Sequence, residues 1–373
     1  MSKIISIGTA LPAFKHRQED IQKFMELVYA MDPVESRKLR FLYHHCGIEY
    51  RYSVLPDYSR EINDWKFFPQ TENLEPFPSL EQRMDWFHKY AGPISVAAIR
   101  DCINGFIQGQ EITHLITVSC TGMSAPGLDL EVMELMDLPK NIYRTSINFM
   151  GCYAAIHALK MADLICKIEI DARVMIVCTE LCTLHFQKES TPDSIASSLL
   201  FGDGAAAALV TSDNYISKKH GQDDEVELKL DHFYSEVITK GKKDMAWELS
   251  SSGFLMTLSG YVPELIEEDF SSLVERALDK AGIKKEMITH WCVHPGGRRI
   301  LDAIHKSLEL KNDQLADCYD VLNDFGNMSS ATILFVLQKM MKQRKLSSSK
   351  SNGKIFGAAF GPGLTMETFV ASS

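Results

Sequence analysis

Three glycine-flanked positions, far apart in a chain of 373 residues, carry a thiol, an imidazole and a carboxamide. They are Gly151-Cys152, His294-Pro295-Gly296-Gly297 and Gly326-Asn327-Met328-Ser329-Ser330. One nucleophile and two hydrogen-bond donors for a developing oxyanion are the equipment of acyl transfer through a thioester. Cys152 opens a helical stretch, where unpaired N–H groups and the helix dipole favour negative charge. That setting predicts a thiol that ionises more readily than a free one; the competing reading is a buried, inert cysteine. His294 ends an apolar run that reads as a buried strand, at the strand end where α/β sheets bind ligands. The competing reading is a core histidine satisfied by a backbone carbonyl. Asn327 is either a donor at the site or a turn or N-cap residue, since Asn is favoured in both roles. No carboxylate offers itself as a third triad member, which weighs against a cysteine protease. A His and Asn pair suits an acid that loses CO2. Decarboxylation generates the carbanion directly, so the enolate needs donors rather than a strong base.

Strand-like runs at 114–120, 174–180, 205–211, 291–294 and 355–360 alternate with helical stretches, which predicts an α/β fold. Ser79 and Gln82 form a capping box ahead of an amphipathic run to about Asn104. The stretch 153–165 is Ala-rich and apolar on nearly every face, and reads as a buried helix. The segment 57–78 mixes aromatics, prolines and charges and reads as an irregular surface excursion. Residues 212–230 are polar and read as a seam between two halves, 1–222 carrying the Cys and 223–373 carrying the His and Asn; 342–354 reads as a second polar loop. The halves share one order: strand, Pro-Gly turn, helix, glycine turn with the reactive residue, helix, strand. Cys152 corresponds to Asn327. A duplicated unit related by a pseudo-twofold axis would bring both turns close to that axis.

The hydrophobic class makes up 45% of residues, enough for one large core or two fused domains. A formal net charge of −10 argues against a nucleic acid or an anionic membrane as the main partner. No stretch approaches the ~18–20 apolar residues of a membrane span, and the N-terminal apolar run is too short for a signal peptide. The nine cysteines are scattered without a CxxC pair, and Cys120, Cys178 and Cys292 sit in apolar runs. Reduced thiols and a soluble, intracellular protein are expected. Cys178 with Cys182 approaches a metal pattern but lacks partners, so no metal is expected.

Five motifs carry a resemblance to a known family. They are Gly151-Cys152-Tyr153-Ala154, Leu200-Phe201-Gly202-Asp203-Gly204-Ala205-Ala206, His294-Pro295-Gly296-Gly297 with Ile300-Leu301, Gly326-Asn327-Met328-Ser329-Ser330-Ala331, and Phe360-Gly361-Pro362-Gly363-Leu364-Thr365 with Glu367-Thr368. In this order they resemble the type III polyketide synthases of the chalcone and stilbene synthase superfamily, the bacterial members more than the plant ones. The first third of the chain matches more vaguely. The resemblance implies an acyltransferase of thiolase-like α/β fold, with duplicated halves forming a layered αβαβα core. It implies a cytoplasmic homodimer with no metal or organic cofactor, acting on CoA thioesters. Cys152 would take an acyl-CoA starter, and His294 and Asn327 would hold malonyl-CoA while it decarboxylates. The enolate would attack the Cys-bound acyl group, and the extended chain would close to a pyrone, resorcinol or phloroglucinol-type product. Phe201 matches an aromatic gatekeeper, Gly361-Pro362-Gly363 a loop shaping the cavity wall, and Ser329 falls in the same pocket.

The chain departs from the plant pattern. Met256 stands for a second gatekeeper aromatic, and its softer, narrower side chain suits a long alkyl group. His185 stands for a cavity-lining threonine. Alanines follow the nucleophile where plant members have glycines, and the basic residues that hold CoA phosphates are mostly unmatched around His44–Arg51. The rival is a ketoacyl-carrier-protein synthase III-like condensing enzyme, which would carry His-Gln-Ala-Asn where this chain has His-Pro-Gly-Gly. A hydroxymethylglutaryl-CoA synthase would need a carboxylate base beside the thiol. The intact Cys152, His294 and Asn327 argue against a catalytically dead scaffold.

Overall fold

A computed structural model of the chain describes residues 2–215, 226–311, 313–346 and 353–373. The first half runs β1 (Ser2–Ala10), β2 (Phe14–Arg17), α1 (Gln18–Tyr29), α2 (Pro33–His45), β3 (Tyr50–Ser53), α3 (Leu80–Ile103), β4 (His114–Ser119), α4 (Leu128–Leu135), β5 (Tyr143–Asn148), α5 (Ala154–Ile168), β6 (Arg173–Leu181), α6 (Pro192–Leu200) and β7 (Asp203–Ser212). The second runs β8 (Leu228–Val237), β9 (Met245–Ser250), β10 (Gly253–Leu258), α7 (Val262–Ala281), β11 (Ile288–Val293), α8 (Arg298–Ser307), α9 (Ala316–Phe325), α10 (Thr332–Leu346), β12 (Lys354–Gly361) and β13 (Thr365–Ser372).

Nine strands form one mixed sheet in the order β11-β12-β13-β8-β1-β7-β6-β4-β5. The halves meet where β1 and β8 pair antiparallel, Ser2 opposite Leu230 and Ile4 opposite Leu228. Moving out from that seam, each half repeats one pattern. In the first, β1 to β7 and β7 to β6 are antiparallel and β6 to β4 is parallel. In the second, β8 to β13 and β13 to β12 are antiparallel and β12 to β11 is parallel. β5 adds one more parallel strand to the first half.

The strands are apolar along their length because both faces are covered. Val174, Ile176 and Cys178 pack with Ile156, Ala158 and Leu159 of α5, whereas the alternating Met175 and Val177 pack with Ala98, Ile99 and Cys102 of α3. Helices α5 and α10 each touch strands of both halves, and α7 packs on β8 and α8. The layers are therefore α3, first-half strands, α5 with α10, second-half strands, and α7 with α8: a thiolase-like αβαβα arrangement. Close layer spacing dictates residue size. A Cβ on Gly8 of β1 would meet the Cys102 backbone nitrogen of α3 at 2.2 Å.

Local signals set the boundaries. Ser79 accepts from the Gln82 N–H while the Gln82 side chain accepts from the Ser79 N–H, so α3 starts where the capping box predicts, and it ends before Asn104. Two expectations need correction. Segment 57–78 is irregular but does not float on the surface: Tyr58, Trp65, Phe67, Phe68 and Leu74 are buried in a second core with Phe24, Phe87 and Phe186. Asp57 makes this possible by accepting from the N–H groups of Lys66, Phe67 and Phe68 at 2.9, 2.9 and 2.8 Å. Those bonds replace the ladder that a helix or strand would supply. Helix α5 is not buried all round, since Leu164 and Ile168 are 55% and 85% exposed. The polar seam falls between β7 and β8, with 216–225, and so the expected division at 222/223, outside the described residues. Of the second polar loop, 342–346 continue α10, while 347–352 lie outside the described residues.

Candidate active site

Cys152 stands just before the N-cap of α5, and Gly151 is what permits it to be there. Gly151 has φ +82°, and a Cβ on it would meet Cδ of Pro362 at 2.2 Å. Its N–H donates to Cys120 Sγ at 3.0 Å, which ties the turn to the end of β4. Cys152 is partly exposed, while the other eight cysteines are buried and free.

Asn327 is held by a two-stranded bridge to Phe201. Its N–H donates to Leu200 O at 2.9 Å, and the Gly202 N–H donates to Asn327 O at 3.0 Å. Gly326, at φ +69°, brings the chain so close that a Cβ would meet Leu200 O at 2.8 Å. The Asn327 side chain is pinned at both ends: Oδ1 accepts from the Ser329 N–H at 2.8 Å and Nδ2 donates to Gly296 O at 3.2 Å. That arrangement leaves one amide hydrogen free. Cys152 Sγ lies 4.0 Å from Asn327 Oδ1 and 3.7 Å from Ser329 Oγ.

His294 follows β11, and its N–H donates to Ala358 O at 2.8 Å. Its ring is buried, yet neither nitrogen has a hydrogen-bond partner. A core histidine satisfied by backbone is thereby ruled out. Buried polar atoms are nearly always paired, so two orphan nitrogens facing a cavity mark a place for a ligand. Gly296 lies between the two side chains: its carbonyl takes Asn327 Nδ2, and a Cβ on it would sit 3.7 Å from His294 Nε2.

Cys152, His294 and Asn327 line one cavity of about 470 Å³, together with Phe201, Met256, His185, Ser329 and Pro362. Gly361 and Gly363 do not line it. Gly361 leaves room for the Tyr153 ring, which a Cβ would meet at 2.4 Å, and Gly363 turns the chain at φ +75°. His185 is wall rather than reagent. Its Nε2 donates to Thr121 O at 2.7 Å and its Nδ1 accepts from the Phe254 N–H at 3.1 Å. Its ring stacks on Phe254 at 4.2 Å, with Trp247 edge-on at 5.7 Å. Trp247 and Phe254 were not predicted from sequence, nor was Arg51, which also lines the cavity. Trp247 and Phe254 lie on the hairpin of β9 and β10, whose polar serines mask its strand pattern.

Burial governs the protonation states. It pushes the Cys152 thiol up to about 12; the Ser329 and Asn327 hydrogen bonds oppose this and the nearby Glu180 carboxyl adds to it. Burial alone lowers His294 to about 3. Burial thus favours a neutral thiol and a neutral imidazole, against the expectation of a readily ionised cysteine. A helix N-terminus is worth only ~0.3–2 kcal/mol to a charge, less than taking a thiolate out of water costs here. Glu180 is itself buried. It accepts from the Cys120 N–H and the Thr121 hydroxyl at 2.9 Å each and from the Ser330 hydroxyl at 2.5 Å, and burial raises its pKa against these bonds. Every one of its partners is structural, so it braces the two halves rather than completing a triad.

Among the described residues no helix is long and apolar enough to cross a membrane. Family models match nearly the whole chain: "Chalcone and stilbene synthases, N-terminal domain" over residues 1–214 and "Chalcone and stilbene synthases, C-terminal domain" over 229–373. A "Putative chalcone synthase" of Bacillus subtilis is 28% identical over 382 residues, covering 100% of this chain and 99% of that protein. "Probable polyketide synthase 1" of Dictyostelium discoideum is 27% identical over 373 residues and 98% of this chain, which spans only 11% of that protein. Two solved structures share the fold at 24% identity. PKS-I of the brown alga Ectocarpus siliculosus has a TM-score of 0.90, covering 100% of this chain and 98% of that one. The C-terminal type III polyketide synthase domain of Steely1 from Dictyostelium has 0.88, covering 100% and 99%.

Proposed function

The chain belongs to the chalcone and stilbene synthase family, and from that premise we propose that it is a type III polyketide synthase extending a Cys152-bound acyl starter with malonyl-CoA. The observation that carries this reading is His294, buried with two unpartnered ring nitrogens, beside the pinned carboxamide of Asn327 and the Cys152 thiol in one cavity. In the first stage the Cys152 sulfur attacks the starter thioester. Its proton passes to neutral His294 and on to the departing CoA thiolate, leaving a new thioester on the enzyme. In the second stage malonyl-CoA places its thioester oxygen against the His294 N–H and the free amide hydrogen of Asn327. The C–C bond to the carboxylate breaks, CO2 leaves, and the electron pair becomes an enolate that these donors stabilise in a dry site. The enolate carbon attacks the Cys152 thioester, the chain grows by two carbons, and Cys152 leaves as the thiolate. Repetition followed by ring closure gives a pyrone, resorcinol or phloroglucinol-type product. Side chains alone run these steps, without metal or organic cofactor.

A cytoplasmic homodimer accompanies this reading. β5 is the sheet edge, where Tyr143 is 67% exposed and stacks on His114; His114 pairs with Glu169, next to exposed Ile168 and Ile170. An unpaired edge beside apolar side chains is a surface that pairing with a second copy would cover.

The test is incubation with malonyl-CoA and acyl-CoA starters of graded length, with products read by mass spectrometry. Triketide or longer products made from CoA thioesters alone are expected. Turnover that requires an acyl carrier protein would favour the ketoacyl-carrier-protein synthase reading instead.

A further inference from the structure

The end of α6 presents three successive carbonyls that the helix itself does not satisfy, and each is taken by a different segment. Gln18 Nε2 donates to Leu199 O at 2.9 Å, the Asn327 N–H to Leu200 O at 2.9 Å, and Arg51 Nη1 to Phe201 O at 2.7 Å. Arg51 is locked in turn by its Nε, which donates to Gln18 Oε1 at 2.9 Å. Its stem lies flat on the glycine before Asn327: a Cβ on Gly326 would meet Arg51 Cγ at 2.9 Å and Cδ at 3.0 Å. One arginine side chain therefore reaches both strands of the bridge that carries Phe201 and Asn327, its guanidinium at Phe201 O and its stem beside Gly326.

The charge of Arg51 calls for a reason beyond capping. The residue is 4% exposed, and no described carboxylate lies within ion-pair distance of it. Nearby Asp203 gives its oxygens to Thr183 and the Val54 N–H. Arg51 Nη2 is buried without a partner. Arg51 is also the only lysine or arginine among the residues lining the cavity. A buried cation without an anion is costly, and a neutral amide would cap a helix as well. A negative charge that exists only during the reaction would account for it. The enolate stage of the proposed function creates one at Asn327, whereas starter transfer to Cys152 runs through the sulfur and His294 and does not use the Asn327 carboxamide.

Resting on that reading, we propose that Arg51 is a positioning residue for malonyl decarboxylation, holding the Phe201–Asn327 bridge so that the Asn327 carboxamide meets the developing enolate. The two half-reactions are measured separately on the full chain: CO2 release from malonyl-CoA without starter, and acylation of Cys152 by an acyl-CoA without malonyl-CoA, read by intact mass. Arg51→Met is expected to lower kcat for CO2 release at least tenfold while the acylation rate stays within twofold. Arg51→Lys, which keeps the charge, is expected to recover most of that loss. Equal loss in both half-reactions, unchanged CO2 release in Arg51→Met, or a Lys variant no better than Met would overturn the proposal. Should Arg51→Met fail to fold, Gln18→Met, which frees the guanidinium but leaves it in place, is expected to slow CO2 release severalfold and spare acylation; the reverse pattern overturns the idea. Wild-type protein that releases no CO2 from malonyl-CoA would overturn the proposed function itself, an outcome distinct from failure of the Arg51 variants alone.

Discussion

Burial sets the charge of each reagent in this cavity. His294 and His185 are both lowered to about 3 and His16 to about 4, each chiefly by burial. The folded chain refuses protons that the unfolded chain takes up below 6.5, so stability falls as pH drops from about 6.5 towards 3–4. Each group costs ~1.4 kcal/mol per pH unit across that window. Urea midpoints at pH 8, 6 and 5 are expected to decline, and His185→Phe to flatten the decline while lowering the midpoint at pH 8. A midpoint that rises on acidification would contradict the neutral, buried imidazoles. If Cys152 is the nucleophile of the proposed function, Cys152→Ala is expected to abolish product yet leave CO2 release from malonyl-CoA measurable. On the proposed function Asn327→Ala would remove one of the enolate's two donors, and it is expected to slow CO2 release ~10²–10³-fold. Loss of decarboxylation in Cys152→Ala with none in Asn327→Ala would reverse the assigned roles.

Turns and helix starts decide whether those side chains reach one another. Gly151→Ala would place a left-handed residue against the Pro362 ring, combining backbone strain of ~1–3 kcal/mol with overpacking. A lower melting temperature together with slow acylation of Cys152 is expected, checked by calorimetry and intact mass. Normal stability and acylation would show that the turn is more forgiving than its geometry indicates. The helix ends and buried strands were legible because their signals are local: Ser79 and Gln82 for α3, glycine before Cys152 for α5. The second core under segment 57–78 was not legible. Its aromatics follow neither helical nor strand period, and the Asp57 carboxylate that satisfies their backbone acts 9–11 residues away.

The halves share strands across the β1–β8 seam and one apolar core that runs from β4 through α5 and α10 to β12. Neither half can be removed without exposing that core to water. Thermal unfolding is therefore expected to proceed as one transition, with coincident tryptophan fluorescence and far-ultraviolet circular dichroism. Two separated transitions would show that the halves fold independently. The same scale decides the cavity, whose wall draws on α1, β3, α6, the β9–β10 hairpin and the turns of both halves.

Residue types, their glycine neighbours and the repeated order of elements were enough to name Cys152, His294 and Asn327 and to expect a duplicated α/β unit, because each depends on neighbours along the chain. Three matters depended on the folded molecule. Burial opposed the helix terminus and pushed the Cys152 thiol up. Trp247 and Phe254 became cavity wall. Arg51 became a buried cation behind Asn327. Desolvation and long-range packing depend on what surrounds a group in space, and no spacing of residues in the sequence reports that.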